Sequence, residues 1–135
     1  MRIVTGKVDK NGFGHFSQRL KDFPQEFMKA TGEVLVGGTL NVKVEQKITI
    51  REHFRMLDPW KDENQVLLFE VCRVQGTWAY RVRPLKLDGS GGGGHGDDTL
   101  EIMCADWIKT KDGFPLEDGD AVQVELFGEE QSRKS

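Results

Sequence analysis

Cysteine is scarce in this chain: among 135 residues there are only Cys72 and Cys104. Neither belongs to a Cys-x-x-Cys step or a Cys/His cluster, which argues against a structural zinc site. Both sit inside apolar strand patterns and are expected to be buried small hydrophobes; a disulfide between them stays open. No apolar run approaches the roughly 20 residues of a membrane-spanning helix, so no membrane partner is expected. Positive charge is short as well. The 19 Lys and Arg stand against 22 Asp and Glu, a formal net charge of −3. A broad nucleic-acid surface needs an excess of Lys and Arg over phosphates, so no nucleic-acid partner is expected. A local basic patch at Lys21, Lys29, Lys43 and Lys47 is the most this balance leaves. Met1 runs straight into the strand pattern Arg2-Ile3-Val4-Thr5-Gly6 with no apolar leader, and the cytoplasm is the expected location.

What is present is a charged, strand-patterned chain with many glycines. Charged residues are 30% and hydrophobic ones 37%, the balance of a folded domain. Residues 2–8 read as a strand, with Gly6 marking a bulge or a close backbone approach. Asp9-Lys10-Asn11-Gly12 signals a turn, followed by a second short strand over residues 13–17. Asp22 to Ala30 reads as a helix: Asp22 as cap, Pro24 in the first turn, Phe23, Phe27 and Ala30 as an apolar stripe, Gly32 at the end. A strand is expected from Gly38 to Glu45, a partly extended stretch from Lys47 to Phe54, and a loop from Leu57 to Asn64. Val66 to Val74 and Thr77 to Leu87 form a hairpin about Gln75-Gly76, the second strand reaching an edge or bulge at Pro84. Thr99 to Cys104 is a strand. Ala105 to Lys111 reads as a single helical turn with Trp107 and Ile108 inward. Ala121 to Phe127 is the last strand, with Val122, Val124 and Leu126 on one face. One domain over residues 1–127 and a polar, frayed tail over 128–135 follow. Short strands with one helix predict a mainly β fold, a small closed barrel, because closure removes exposed edges.

Three stretches carry possible chemistry. In Val36-Gly37-Gly38-Thr39-Leu40-Asn41-Val42-Lys43-Val44 the pattern alternates after a glycine pair. Leu40, Val42 and Val44 share one face; Thr39, Asn41 and Lys43 share the other. A hydroxyl and an amide oxygen on one face suit a hydrated Mg²⁺ or a phosphate ester; an ordinary strand with a wet face has the same pattern. Gly12-Phe13-Gly14-His15-Phe16 leaves backbone N–H groups uncovered and can cradle phosphate oxygens, or serve as a plain hairpin loop. The run from Asp88 to Asp98, with Gly91-Gly92-Gly93-Gly94-His95 at its centre, is a flexible loop by composition. His95 beside Asp97 and Asp98 is a loose metal candidate or a solvated side chain. Whether the run is a native flap or an engineered splice stays open.

The segment Gly38-Thr39-Leu40-Asn41-Val42-Lys43-Val44 resembles the G-T-L-N segment of the archaeal CTP-dependent riboflavin kinases. In matching order come the Gly-rich turn at Gly12–Phe16, Tyr80-Arg81-Val82-Arg83-Pro84-Leu85-Lys86-Leu87, Leu100-Glu101-Ile102-Met103, and Leu116-Glu117-Asp118-Gly119-Asp120-Ala121-Val122. Together they span most of residues 2–127. The resemblance implies a six- to seven-stranded cradle-loop β-barrel with one flanking helix. It implies transfer of the terminal phosphoryl group of CTP to riboflavin, giving FMN, with Mg²⁺ as cofactor, in a monomer or small homo-oligomer. Carried over residue by residue, Thr39 and Asn41 would contact the metal. Gly12, Phe13, Gly14, His15 and Lys43 would face the nucleotide. Glu101 would accept the riboflavin hydroxyl proton, its alternative being an exposed strand carboxylate. The chain departs from the pattern in a shortened Gly-rich turn, in the glycine run ahead of Leu100, and in Trp107-Ile108 where the family has Leu-Arg. A nucleotide- or flavin-binding barrel without turnover is therefore the alternative, and a protein-interaction domain is a third reading. Trp78, Tyr80 and Phe54, able to stack on a flavin ring, are expected instead to pack in the core.

Overall fold

The computed structural model describes residues 1–11, 16–36, 38–88 and 96–127. Seven strands form its frame: β1 (Arg2–Val8), β2 (Leu40–Lys43), β3 (Phe54–Leu57), β4 (Gln65–Val74), β5 (Thr77–Lys86), β6 (Thr99–Cys104) and β7 (Ala121–Leu126). They run in the order β3-β4-β5-β6-β2-β1-β7, and β7 returns to pair with β4. Six antiparallel strands thus close a barrel, and β3 is an extra strand on the outside edge of β4. The fold is mainly β, as the alternation of apolar and polar residues predicts.

Two positions show how sequence dictates this closure. Gln75 and Gly76 both have positive φ (51° and 78°), which matches a two-residue turn to the twist of the β4–β5 hairpin. Gly6 sits where β1 crosses β2: a Cβ there would lie 2.6 Å from Val42 Cγ1 and 2.7 Å from the Lys43 carbonyl oxygen. The close backbone approach expected at Gly6 is therefore a requirement of the barrel. Pro84 falls past Val82, the last β5 residue paired with β6, so its missing N–H costs no bond on that side.

The helical part differs from expectation. Two short helices, α1 (Ser17–Asp22) and α2 (Pro24–Thr31), replace the single one, with Phe23 between them. Ser17 begins α1 rather than ending a strand; Phe16 and Leu20 bury themselves against the barrel's outer face, and this packing overrides a two-residue alternation. Asp22 closes α1, accepting from Gln18 Nε2 at 2.9 Å, and does not cap α2. Gly32 ends α2 as expected, in the left-handed region at φ 77°. β3 takes in Leu57, expected in the loop, because β4 offers it a pairing edge at Val66.

The core has two layers. Inside the barrel, Val8, Val42, Val44, Leu100, Ile102, Val122 and Val124 pack with both cysteines and with Ile48, Ile108 and Leu116. Outside it, Phe27 and Leu20 of the helices pack on Leu67, Phe69, Val82 and Met103. β4 and β6 are thus buried on both faces, which is why they read as nearly continuous apolar runs. Tyr80 and Phe54 join this outer layer, Phe54 stacked on Phe69 at 4.8 Å. Trp78 does not: it stays exposed and packs against Phe127 and Arg73. Both cysteines are free, and burial pushes the Cys72 thiol up to about 12 and that of Cys104 to about 11.

Among the described residues, two ion pairs are buried. Arg81 and Glu70 stand opposite each other on β5 and β4, on the face that carries Ala79 and Cys72 into the barrel. Their ion pair is long, 3.6 Å from Arg81 Nη1 to Glu70 Oε1, and Asp97 approaches Arg81 at 3.7 Å and Arg83 at 3.3 Å. Burial raises the Glu70 pKa above the usual carboxylate range, against a backbone hydrogen bond at Arg51 and the Arg81 charge, which pull the other way. The second pair, Arg19–Asp58, is tight: Nε–Oδ1 2.8 Å and Nη2–Oδ2 2.9 Å. It ties α1 to the turn after β3, with the guanidinium 4.0 Å from the Trp60 ring centroid. No helix among the described residues is long and apolar enough to cross a membrane.

Candidate functional site

Pairing between β2 and β6 sets the site. Asn41 and Glu101 are directly opposite each other, so their side chains share a face, away from Val42 and Leu100. Thr39, two residues before Asn41, falls on that face too. This is the polar face expected from the alternation in residues 39–43. It is not wet throughout: Asn41 is 6% exposed and Glu101 2%. Glu101 is therefore not an exposed strand carboxylate.

α1 covers this face. The Thr39 hydroxyl donates to Glu101 Oε2 at 2.9 Å, and the Phe16 N–H donates to the same oxygen at 3.1 Å. Ser17 Oγ lies 3.1 Å from Thr39 Oγ1. Having donated its one proton to Glu101, the Thr39 hydroxyl keeps its lone pairs for Ser17 or for a cation. Asn41 Oδ1 is buried without a hydrogen-bond partner. A buried amide oxygen left unpaired is costly, on the order of 1–3 kcal/mol, and so marks a place where something polar or cationic belongs.

A cleft of about 590 Å³ opens beside these groups. Val8, Leu40, Ile108 and Leu116 give it an apolar wall, and Ser17, Thr39 and Asn41 a polar one. Its rim carries Asp9, Lys10 and Lys109. Asp9 begins the turn toward residue 12: its carboxylate accepts from the Asn11 N–H at 3.1 Å, while the Lys10 N–H donates to Asp118 Oδ1 at 2.8 Å. The closing Leu116–Val122 element thus anchors the start of the Gly-rich turn. Gly12, Phe13, Gly14 and His15 lie outside the described residues, as do Gly37 and His95.

The structure brings together Thr39, Asn41 and Glu101, and sets the first two on the cleft wall. Glu101 stands behind Thr39 and is not part of that wall. Lys43 is exposed at the end of β2, opposite Lys7 and Thr99, and does not line the cleft. The cations that do are Lys10, in a turn, and Lys109, in a short irregular segment; neither position carries a periodic signal in the sequence. Ser17 carries no signal for the site in a segment whose pattern reads as a strand.

Trp107 is a further departure. No helical turn forms over residues 105–111; Lys109 and Pro115 make an isolated bridge instead. Ile108 turns inward, whereas Trp107 is 63% exposed and lies on the cleft. In extended backbone two successive side chains point to opposite sides, so both cannot face the core.

Among the described residues, no group of three or more His, Cys, Asp or Glu side chains is placed to hold a metal. A cation here would depend on neutral oxygens and on its ligand's own phosphates, the mode in which Mg²⁺ keeps much of its water. The unpaired Asn41 Oδ1 and the lone pairs of Thr39 fit that mode. No family model matches the chain, and no curated protein matches it in sequence.

Proposed function

We propose that the cleft takes a phosphorylated nucleotide with Mg²⁺ and that the protein is a riboflavin-kinase-like phosphotransferase, moving a phosphoryl group from CTP to riboflavin to give FMN. The observation that carries this reading is the buried, unpaired Oδ1 of Asn41, a residue that lines the cleft two positions along the chain from Thr39. Thr39 and Asn41 would hold Mg²⁺, which would supply charge neutralisation at the transferred phosphoryl group. The chain's part is to position and to exclude water. Asn41 and Thr39 hold the charged end of the ligand. Glu101 fixes the rotamer of the Thr39 hydroxyl and, standing behind it, would receive the proton of the acceptor alcohol by way of that hydroxyl, which passes its own proton to Oε2 as it takes up the alcohol's. Lys10 and Lys109 at the rim attract the anionic ligand.

A second reading, binding without turnover, draws on one observation: Glu101 is buried behind Thr39 and its Oε2 already accepts two hydrogen bonds. One experiment separates the two. Wild type is incubated with Mg²⁺, CTP and riboflavin, FMN is followed by chromatography, and thermal midpoints are recorded with each ligand alone. FMN formation that Asn41→Ala lowers at least tenfold supports the kinase. Ligand-dependent stabilisation with no FMN supports the binding module. Turnover in Asn41→Ala equal to wild type removes the role given to the unpaired oxygen.

A further inference from the structure

We propose that Trp107 is the wall on which a planar heteroaromatic ring of the ligand stacks, whether a nucleobase or a flavin. The inference rests on the reading of the cleft just given, but its evidence is separate. An indole is a large apolar surface, and leaving it 63% exposed at the mouth of a cleft is unfavourable unless something covers it. The other two tryptophans have partners. Trp60 lies against the Arg19 guanidinium, and Trp78 against Phe127 and Arg73. Among the described residues Trp107 has neither a ring nor a cation beside it.

Its position is set by Gly38. A Cβ on residue 38 would lie 3.3 Å from Trp107 Cη2 and 4.0 Å from Cζ3, so the indole rests one edge over bare backbone. A side chain at residue 38 would make the indole shift by a few tenths of an ångström. Thr39 follows at once, and Asn41 lies three residues beyond Gly38, at most roughly 10 Å away along the chain. That is the kind of separation that a sugar or a ribityl chain puts between a ring and its phosphate. Between the two ends the cleft wall is apolar, from Val8, Leu40, Pro115 and Leu116. A flat apolar surface at one end, unpaired oxygen at the other and cations on the rim describe a ligand with a ring, a spacer and an anionic tail.

The test is calorimetric titration in Mg²⁺ with two probes, CDP and FMN, on wild type, Asn41→Ala, Trp107→Phe, Trp107→Leu and Trp107→Ala, with indole emission followed in parallel. Trp78→Phe serves as control. A stacked ring gives quenching that Trp107→Phe abolishes and Trp78→Phe does not. Loss of the flat face in the Leu and Ala variants is expected to weaken binding about 5- to 100-fold. Trp107→Phe, which keeps a smaller face, is expected to fall between. The probe that shows the loss identifies the ring as base or flavin. Leu is included because it keeps apolar bulk should Ala disturb the segment, and all variants are expected to melt with wild type. Binding that needs Asn41 but is as tight in Trp107→Leu and Trp107→Ala as in wild type overturns the stacking role and leaves the cleft reading standing. No binding of either probe to wild type overturns both.

Discussion

Asp58→Ala should damage both the stability of this barrel and its cleft, for reasons that can be worked from the structure. Asp58 is the meeting point of four donors: Arg19 Nε and Nη2, the Trp60 N–H at 2.9 Å and Gln65 Nε2 at 2.8 Å. Arg19 is only 5% exposed and cannot swing into water without lifting α1. Truncating Asp58 leaves that guanidinium buried without its carboxylate, and breaking a buried pair from one side costs about 3–5 kcal/mol. In a domain of this size that corresponds to a thermal midpoint lower by on the order of 10 °C. The double variant Arg19→Met with Asp58→Leu removes both charges and should recover much of the loss, since replacing both partners with apolar groups is often close to neutral. A second consequence follows from the same contact. α1 delivers the Phe16 N–H to Glu101 and Ser17 to Thr39, so ligand binding in Asp58→Ala should weaken even at temperatures where the variant is folded. The assay is thermal and urea unfolding of the two single variants and the double, with ligand titration on each. A midpoint for Asp58→Ala within 2–3 °C of wild type, an effect no larger than about 1 kcal/mol, would refute the account of Asp58 as the carboxylate that holds the buried Arg19 in place.

Two further predictions concern the barrel itself. Glu70 has its folded pKa raised by burial, so its contribution to stability is fully present below the ordinary carboxylate value and is lost as pH rises through the raised one. Wild type should therefore lose stability over a range beginning near pH 4.5, relative to Glu70→Gln; a pH series of melts in which the difference between the two stays constant would contradict this. Gly6→Ala places a Cβ 2.6 Å from Val42 and 2.7 Å from a backbone oxygen. It should destabilise by about 1–3 kcal/mol, as overpacking does, and a wild-type midpoint in urea would show that β1 and β2 can separate at no cost.

Alternation and punctuation in the sequence determined the local elements with little help from the fold. Residues 2–8, 99–104 and 121–126 are strands because apolar side chains recur with period two or fill a run that is buried on both faces. Gln75-Gly76 makes a hairpin, and Gly32 a helix end, because positive φ is cheap there. The polar face of residues 39–41 was legible for the same reason: strand period alone puts Thr39 and Asn41 on one side. Tertiary structure decided the rest. Only the β2–β6 register places Glu101 opposite Asn41, and register is invisible in a single strand. Only packing on the outer face of β4 and β5 turns the segment from Ser17 into a helix and brings Phe16 and Ser17 to Glu101 and Thr39. Whether an apolar residue is buried likewise depends on what stands opposite it. Ile108 met the barrel core, while Trp107, beside it in sequence, met a bare glycine and an open cleft.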